Sequence, residues 1–348
     1  MRPLQPGADK DTMTGGPAES GPSRGRGRIA ALLLTISLVA AACGSDSSAD
    51  ANQSTGAPST QASDTSTSIT TTTATAASST TTTTTTVPVI PAPPPIPIEP
   101  PEGFELVWND EFDGDTIDPA NWTYDIGGWG WGNGESQFYT DRTENSWLEN
   151  GLLVIEGRQE AFEESFYTSA RLKTQGLREF QYGYLEARMK VPAGQGMWPA
   201  FWMLGADFGR EAEDPNASNW PDVGEIDIME YVGKEPILVY GTLHGPGYAG
   251  AGSLGSRYRH DAPIADDFHT FAIEWDFDGI RWFFDGEMYG EKSRDIVGDR
   301  WVFDKPFFFI LNLALGGTFP GPIGLDVEFP KRLYVDYVRV YQPIEGAG

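Results

Sequence analysis

From Phe104 onward, apolar and polar residues alternate in short runs or gather in brief apolar stretches, and no long segment keeps a helical period. Such runs recur at Leu152–Gly157, Gly183–Val191, Ala200–Leu204, Glu225–Tyr231, Val239–His244, His269–Asp276, Ile280–Phe284, Phe307–Leu315 and Leu333–Tyr341. Between them stand Gly, Pro, Asn and Asp turn signals, among them Glu149-Asn150-Gly151 and Phe284-Asp285-Gly286. Many short strands without crossover helices predict an all-β fold, an antiparallel β-sandwich. No internal repeat is visible.

The preceding residues follow no such pattern. Arg24, Arg26 and Arg28 precede a mainly apolar run, Ile29–Ala42, too short to span a bilayer and suited to the hydrophobic part of an export signal. It closes on Val39-Ala40-Ala41-Ala42-Cys43-Gly44, which resembles the bacterial lipoprotein signal, in which the Cys becomes the lipidated first residue; Ala40 stands where Leu is usual. Cys43 is the one Cys of the chain, so no internal disulfide can use it. The alternative is an ordinary secretory signal cleaved after a small residue. Gly44–Val87 is dominated by Ser, Thr and Ala, and Pro88–Pro101 holds eight prolines. Neither can bury enough apolar surface to offset ordering entropy, which predicts a flexible tether followed by a stiffer polyproline spacer. The expected division is a signal (residues 1–43), a disordered linker (44–101), one folded domain (102–343) and a tail (344–348). The domain would lie outside the cell, touching the membrane only through a lipid on Cys43.

Composition sharpens that division. All 11 Trp, 13 Tyr and 19 Phe lie at Phe104 or later, so an aromatic core can form only there. The stretch is long enough for one large domain. A net charge of −26 argues against nucleic acid or an anionic membrane surface as partner and favours a neutral substrate. Three dispersed His and a single Cys make no persuasive catalytic zinc site, and no cofactor is expected for the chemistry.

Candidate chemistry concentrates in Gly224-Glu225-Ile226-Asp227-Ile228-Met229-Glu230. On a strand, Glu225 and Asp227 share one face, with Ile226 and Ile228 on the other. Glu230 has the opposite parity, and one residue bulged out at Ile228-Met229 would return it to the acidic face. Glu225 and Glu230 would then stand four strand positions apart, about 13 Å between backbones, and long side chains leaning over Asp227 could close to the ~5–5.5 Å of a retaining glycosidase pair. Crowded carboxylates raise one another's proton affinity, leaving an acid beside a carboxylate.

This segment resembles the signature of glycoside hydrolase family 16 in its bulged form. Tyr167–Leu172, Tyr182–Arg188, Gly196–Leu204, Phe307–Gly317, Trp129–Asn133 and Tyr334–Tyr341 resemble the bacterial laminarinase branch in order and spacing, so the resemblance covers Phe104–Gln342. It implies a jelly roll of two curved sheets with a glucan cleft on the concave face. It also implies retaining endo-hydrolysis of β-1,3-glucan, with Glu225 as nucleophile, Glu230 as acid/base and Asp227 assisting. Trp198 and Trp202, of like parity, are expected to stack on sugar rings. By resemblance His244 is a +1 subsite contact beside Glu230. Trp129 and Trp131 in a Gly-rich loop, with Asn133 and Asn145, are further substrate-binding candidates. Relatives often hold a structural calcium on the convex side, and Glu111, Gly151 and Asp336 match its oxygen donors; Asp336 shares parity with the apolar Val338 and Val340. Tyr182-Gly183-Tyr184 departs from the Tyr-Gly-Arg of many relatives, which would alter the minus-side subsites if that Arg reaches substrate. A monomer is expected. The rival readings are a β-1,3-1,4-glucanase or galactan hydrolase of the same family, a non-catalytic glucan-binding module and a structural cell-wall protein.

Overall fold

The structure is a computed structural model that describes residues 90–209 and 219–344. The export signal, Cys43 and the Ser/Thr-rich tether lie outside the described residues. Two sheets face each other. The smaller runs, in spatial order, β12 (Leu254–Arg259), β11 (Leu238–His244), β10 (Glu225–Glu230), β9 (Met197–Gly205), β16 (Phe307–Leu315), β7 (Arg171–Lys173) and β2 (Thr123–Tyr124). The larger runs β15 (Glu287–Ser293), β14 (Gly279–Phe284), β13 (His269–Trp275), β8 (Gly183–Lys190), β17 (Lys331–Pro343), β5 (Leu152–Phe162), β6 (Ser165–Ser169) and β3 (Gln137–Tyr139). Two more strands join it: β1 (Phe104–Asp110) pairs with β17, and β4 (Ser146–Glu149) pairs with β5. Pairing is antiparallel except between β3 and β6.

Strand alternation builds the core. From the larger sheet, Leu153, Ile155, Leu185, Ala187, Met189, Val335 and Val338 point inward; from the smaller, Phe201, Met203, Ile226, Leu311 and Leu313 meet them. Full burial of each large apolar side chain contributes about 1.5–3 kcal/mol, so this layer holds the sheets face to face. The predicted hairpin turns form as the sequence requires: Asn150 and Gly151 have φ of 55° and 72°, Asp285 and Gly286 of 48° and 79°. Both central positions are left-handed, which suits Asn-Gly and Asp-Gly.

One parity expectation is corrected. β17 slips register against β8 between Val335 and Tyr337, so Asp336 is bulged out. Instead of sharing a face with Val338 and Val340, it lies on the outer face and meets Arg188 Nη1 at 2.6 Å. Ile90 and Ile96 of the Pro-rich segment lie on that same outer face. Ile90 packs beside Leu152, Val154 and Tyr334, and Arg339 Nη2 donates to the Ile96 carbonyl at 2.9 Å.

Candidate active site

β10 carries the expected bulge. Against β9, Asp227 pairs with Trp202 and Met229 with Phe201; against β11, Asp227 pairs with Thr242 and Glu230 with Tyr240. One residue too many therefore stands on β10 after Asp227. Ile226, Ile228 and Met229 all enter the core, and Glu225, Asp227 and Glu230 share the open face. Glu225 pairs with Leu204 and Glu230 with Ala200, four positions apart on β9, so the anticipated spacing of about 13 Å is realised.

Each acid is held separately. Trp220 Nε1 donates to Glu225 Oε2 at 3.0 Å, and Trp198 Nε1 donates to Glu230 Oε1 at 3.1 Å. Asp227 is 4% exposed, and its Oδ2 accepts no hydrogen bond. Burial, the largest cause, pushes all three carboxyls up to about 8. The charge of Asp227 adds to the shift at both glutamates, while bonds from Trp198 and Thr242 oppose it at Glu230. The three titrate as one coupled set, in which a proton is retained beside a carboxylate.

His244 lies on the neighbouring strand β11, and antiparallel register pairs it with Glu225 rather than with Glu230, beside which it was expected. Its Nε2 stands 3.2 Å from Asp227 Oδ2 and 3.6 Å from Glu225 Oε1. These three residues form the one cluster of metal-ligand type among the described residues. The ring is turned against that use: the Gly250 N–H donates to Nδ1 at 3.1 Å, so Nδ1 supplies its lone pair and the proton sits on Nε2, facing the carboxylates. The His244 N–H therefore faces the acids without closing a hydrogen bond to either, and the ring has no lone pair left for an ion.

The tryptophans divide. Trp202 Nε1 donates to Asn312 Oδ1 at 2.7 Å, and the Arg171 guanidinium stands 4.7 Å from the ring centres of both Trp202 and Trp131. Trp129, 68% exposed, lies 4.0 Å from Trp131, so Trp129, Trp131, Arg171 and Trp202 form a continuous ladder. Buried Glu135 ties the loop to the strand, accepting from Asn133 at 3.1 Å and from Tyr139 at 3.1 Å, while Asn312 donates to Tyr139. Asn133 thus sits at the rim. Asn145 does not line the cleft: it is fully buried, and its amide is spent on Thr140, Thr168 and the Glu156 carbonyl. Tyr184 also lies away from the cleft. It is on the outer face of the larger sheet beside Phe104, Phe283 and Tyr341, so the replacement of Arg there does not reshape a subsite.

Trp220, Arg171, Glu135 and Thr242 went unrecognised in the sequence. Trp220 carried a local signal, an aromatic residue in the turn Asn219-Trp220-Pro221-Asp222 just before the acidic strand, and Arg171 lies within Tyr167–Leu172, one of the stretches that carry the resemblance.

The profile of Glycosyl hydrolases family 16 matches residues 129–322. The chain is 46% identical over 254 residues to a beta-glucanase of Rhodothermus marinus, covering 70% of this chain and 86% of that one. Two further relatives are longer, and the chain spans 34% and 38% of their lengths. Among solved structures it is similar to the laminarinase catalytic domain of Thermotoga maritima MSB8, with 46% identity and a TM-score of 0.66 over 70% of this chain and 100% of that one. It is also similar to SCLam, a non-specific endo-β-1,3(4)-glucanase, with 39% identity and a TM-score of 0.64 over 72% of this chain and 95% of that one.

Proposed function

Since the chain belongs to glycosyl hydrolases family 16, we propose that it cuts β-1,3 bonds within a laminarin-like glucan with retention of configuration. The observation that carries this reading is the bulge that brings Glu225, Asp227 and Glu230 onto one open strand face. Glu225 attacks the anomeric carbon while Glu230 gives its proton to the departing glycosidic oxygen, leaving a glycosyl group esterified to Glu225. Glu230 then takes a proton from water, which opens the ester from the opposite side and returns the β-anomer. Asp227 shares a proton with its neighbours, with the His244 Nε2 3.2 Å from its Oδ2. Trp202 and the Trp129–Trp131 loop offer rings for sugar faces. The resemblance to SCLam favours mixed-linkage glucan as a second substrate. Reducing-end release from laminarin, lichenan and agarose separates the readings: laminarin is expected to be cut fastest, and binding without release would mark a glucan-binding module instead.

A structural calcium is proposed on the opposite side of the domain. Register places Glu111, which follows β1, and Gly151, which precedes β5, on the two flanks of β17 near Asp336. All three offer oxygen, the donor type calcium takes; burial raises the Asp336 carboxyl and the bond from Arg188 opposes the rise. Each acid also faces an arginine: Arg339 donates to Glu111 at 2.8 Å and Arg188 to Asp336 at 2.6 Å. The two carboxylates and the Gly151 carbonyl are of the oxygen type calcium takes, and an ion there would share the acids with the two guanidiniums. Chelation is expected to lower the melting temperature by several degrees, restored by added calcium; an unchanged melting temperature would remove the proposal.

The chain is further proposed to be exported and lipid-anchored through Cys43. The intact protein should enter the detergent phase and Cys43→Ala should leave it; equal partition of both would refute the anchor.

A further inference from the structure

Asp227 is where β10 loses register with both of its neighbours. A bulge takes backbone groups out of the ladder, and a buried carbonyl must then find its donor elsewhere. The Asp227 carbonyl finds it in the opposite sheet: Trp282 Nε1 on β14 donates to it at 2.8 Å, with both groups buried. Trp282 is 0% exposed. The slot it occupies is kept open by glycine. A Cβ on Gly241, in the β11 strand beside the acids, would stand 2.3 Å from Trp282 Cδ1 and 2.4 Å from Nε1. On its own sheet Trp282 pairs with Gly290, next to a second register slip in which Tyr289 is the extra residue. An indole therefore crosses the core to meet the one backbone carbonyl that stands at the turning point of the acidic strand.

We propose that Trp282 is a positioning residue for the reaction: its N–H pins the bulge that keeps Glu230 on the open face with Asp227 between the two glutamates. A strand without that bulge would turn Glu230 into the core and Met229 outward, because side-chain parity reverses with each residue of slip. This inference rests on the assignment of Glu225, Asp227 and Glu230 as the reacting carboxyls. It asks more of Trp282 than core filling, because a ring of similar bulk without the N–H would fill the space and leave the carbonyl bare.

Trp282→Phe keeps an aromatic ring and removes the donor. Trp275→Phe is the matched control: Trp275 is also buried, on neighbouring β13, and its Nε1 donates at 2.9 Å to the Phe303 carbonyl and not to a group of the acidic strand. Both variants are expected to lose melting temperature. Only Trp282→Phe should lower kcat on laminarin, by about tenfold or more at nearly constant KM, and shift the alkaline limb of the pH–rate profile that reports Glu230. Gly241→Ala, which pushes the indole from the other side, should give the same selective loss and carries the test if Trp282→Phe does not fold. Unchanged kcat and pH profile in Trp282→Phe, or equal losses in Trp282→Phe and Trp275→Phe, would overturn the positioning role. Glu225→Gln, measured alongside, separates the two levels. If it is inactive while Trp282→Phe is unimpaired, the positioning role alone fails; if it stays active, the assignment of the acids fails and the positioning role with it.

Discussion

Glu225→Gln is expected to abolish release of reducing ends from laminarin, by at least about 10³-fold or roughly 4 kcal/mol of transition-state stabilisation, and at the same time to raise the melting temperature near pH 8. The first effect follows from the chemistry: an amide keeps the shape of the side chain and its contact with Trp220, but it cannot form the glycosyl ester. The second follows from the electrostatics. Burial, joined at the two glutamates by the charge of Asp227, holds all three carboxyls at about 8 in the folded protein, against a reference of 4.5 for the glutamates. Between those values the folded state binds more protons than the unfolded state, so stability falls as pH rises through that window. Replacing one acid by a neutral amide relieves the repulsion, and the gain should be a few degrees at pH 8 and close to nothing at pH 4. Calorimetry at the two pH values, beside a reducing-sugar assay, measures both. A variant that loses activity without gaining stability at pH 8 would mean that the carboxyls do not repel one another as the structure requires.

Glu230→Ala is expected to lose about 10²–10⁴-fold on laminarin, the range of general acid–base assistance, and to behave differently with an aryl glycoside whose leaving group needs no proton. The ester on Glu225 then still forms, and its hydrolysis becomes the slow step because water has lost its base. A burst of phenol followed by slow turnover should appear, and added azide, which needs no base, should speed the second phase. The alkaline limb of the pH profile should vanish with Glu230. Equal losses on both substrates, with no burst and no azide effect, would assign the proton transfer to another residue.

The part of the site legible in the sequence is the part carried by one strand. Ile226 and Ile228 mark the core face and the three acids the other, so a local parity argument suffices to place the bulge. Nine of the observed strands coincide with apolar runs, because those strands lie inside the sheets with at least one buried face. Eight strands among the described residues fall outside those runs: of these, β2, β3, β4 and β7 have too few residues to show a period, and β12 and β15 sit at sheet edges with mostly polar, part-exposed residues. His244 was placed on the right strand but opposite the wrong glutamate, since register depends on the length of the β10–β11 connection. Asp336 was misread because a bulge reversed its parity, an event that nothing in Tyr334–Tyr341 announces. Asn145 lies in a buried network and not on the cleft wall, a difference that polar character alone does not reveal, and the Tyr184 replacement falls on the outer face, away from the subsites it would alter. Arg171 reaches Trp202 through the pairing of β7 with β16 and of β16 with β9, and Trp282 reaches Asp227 from the opposite sheet, contacts that no local stretch of sequence announces.

The stereochemistry of the first products tests the central claim most directly. Proton NMR during early hydrolysis of laminarin is expected to show new reducing ends appearing first as the β-anomer, with the α-anomer growing in only by mutarotation, as double displacement through Glu225 demands. Initial release of the α-anomer would show single displacement by water and contradict the assignment of Glu225 as nucleophile.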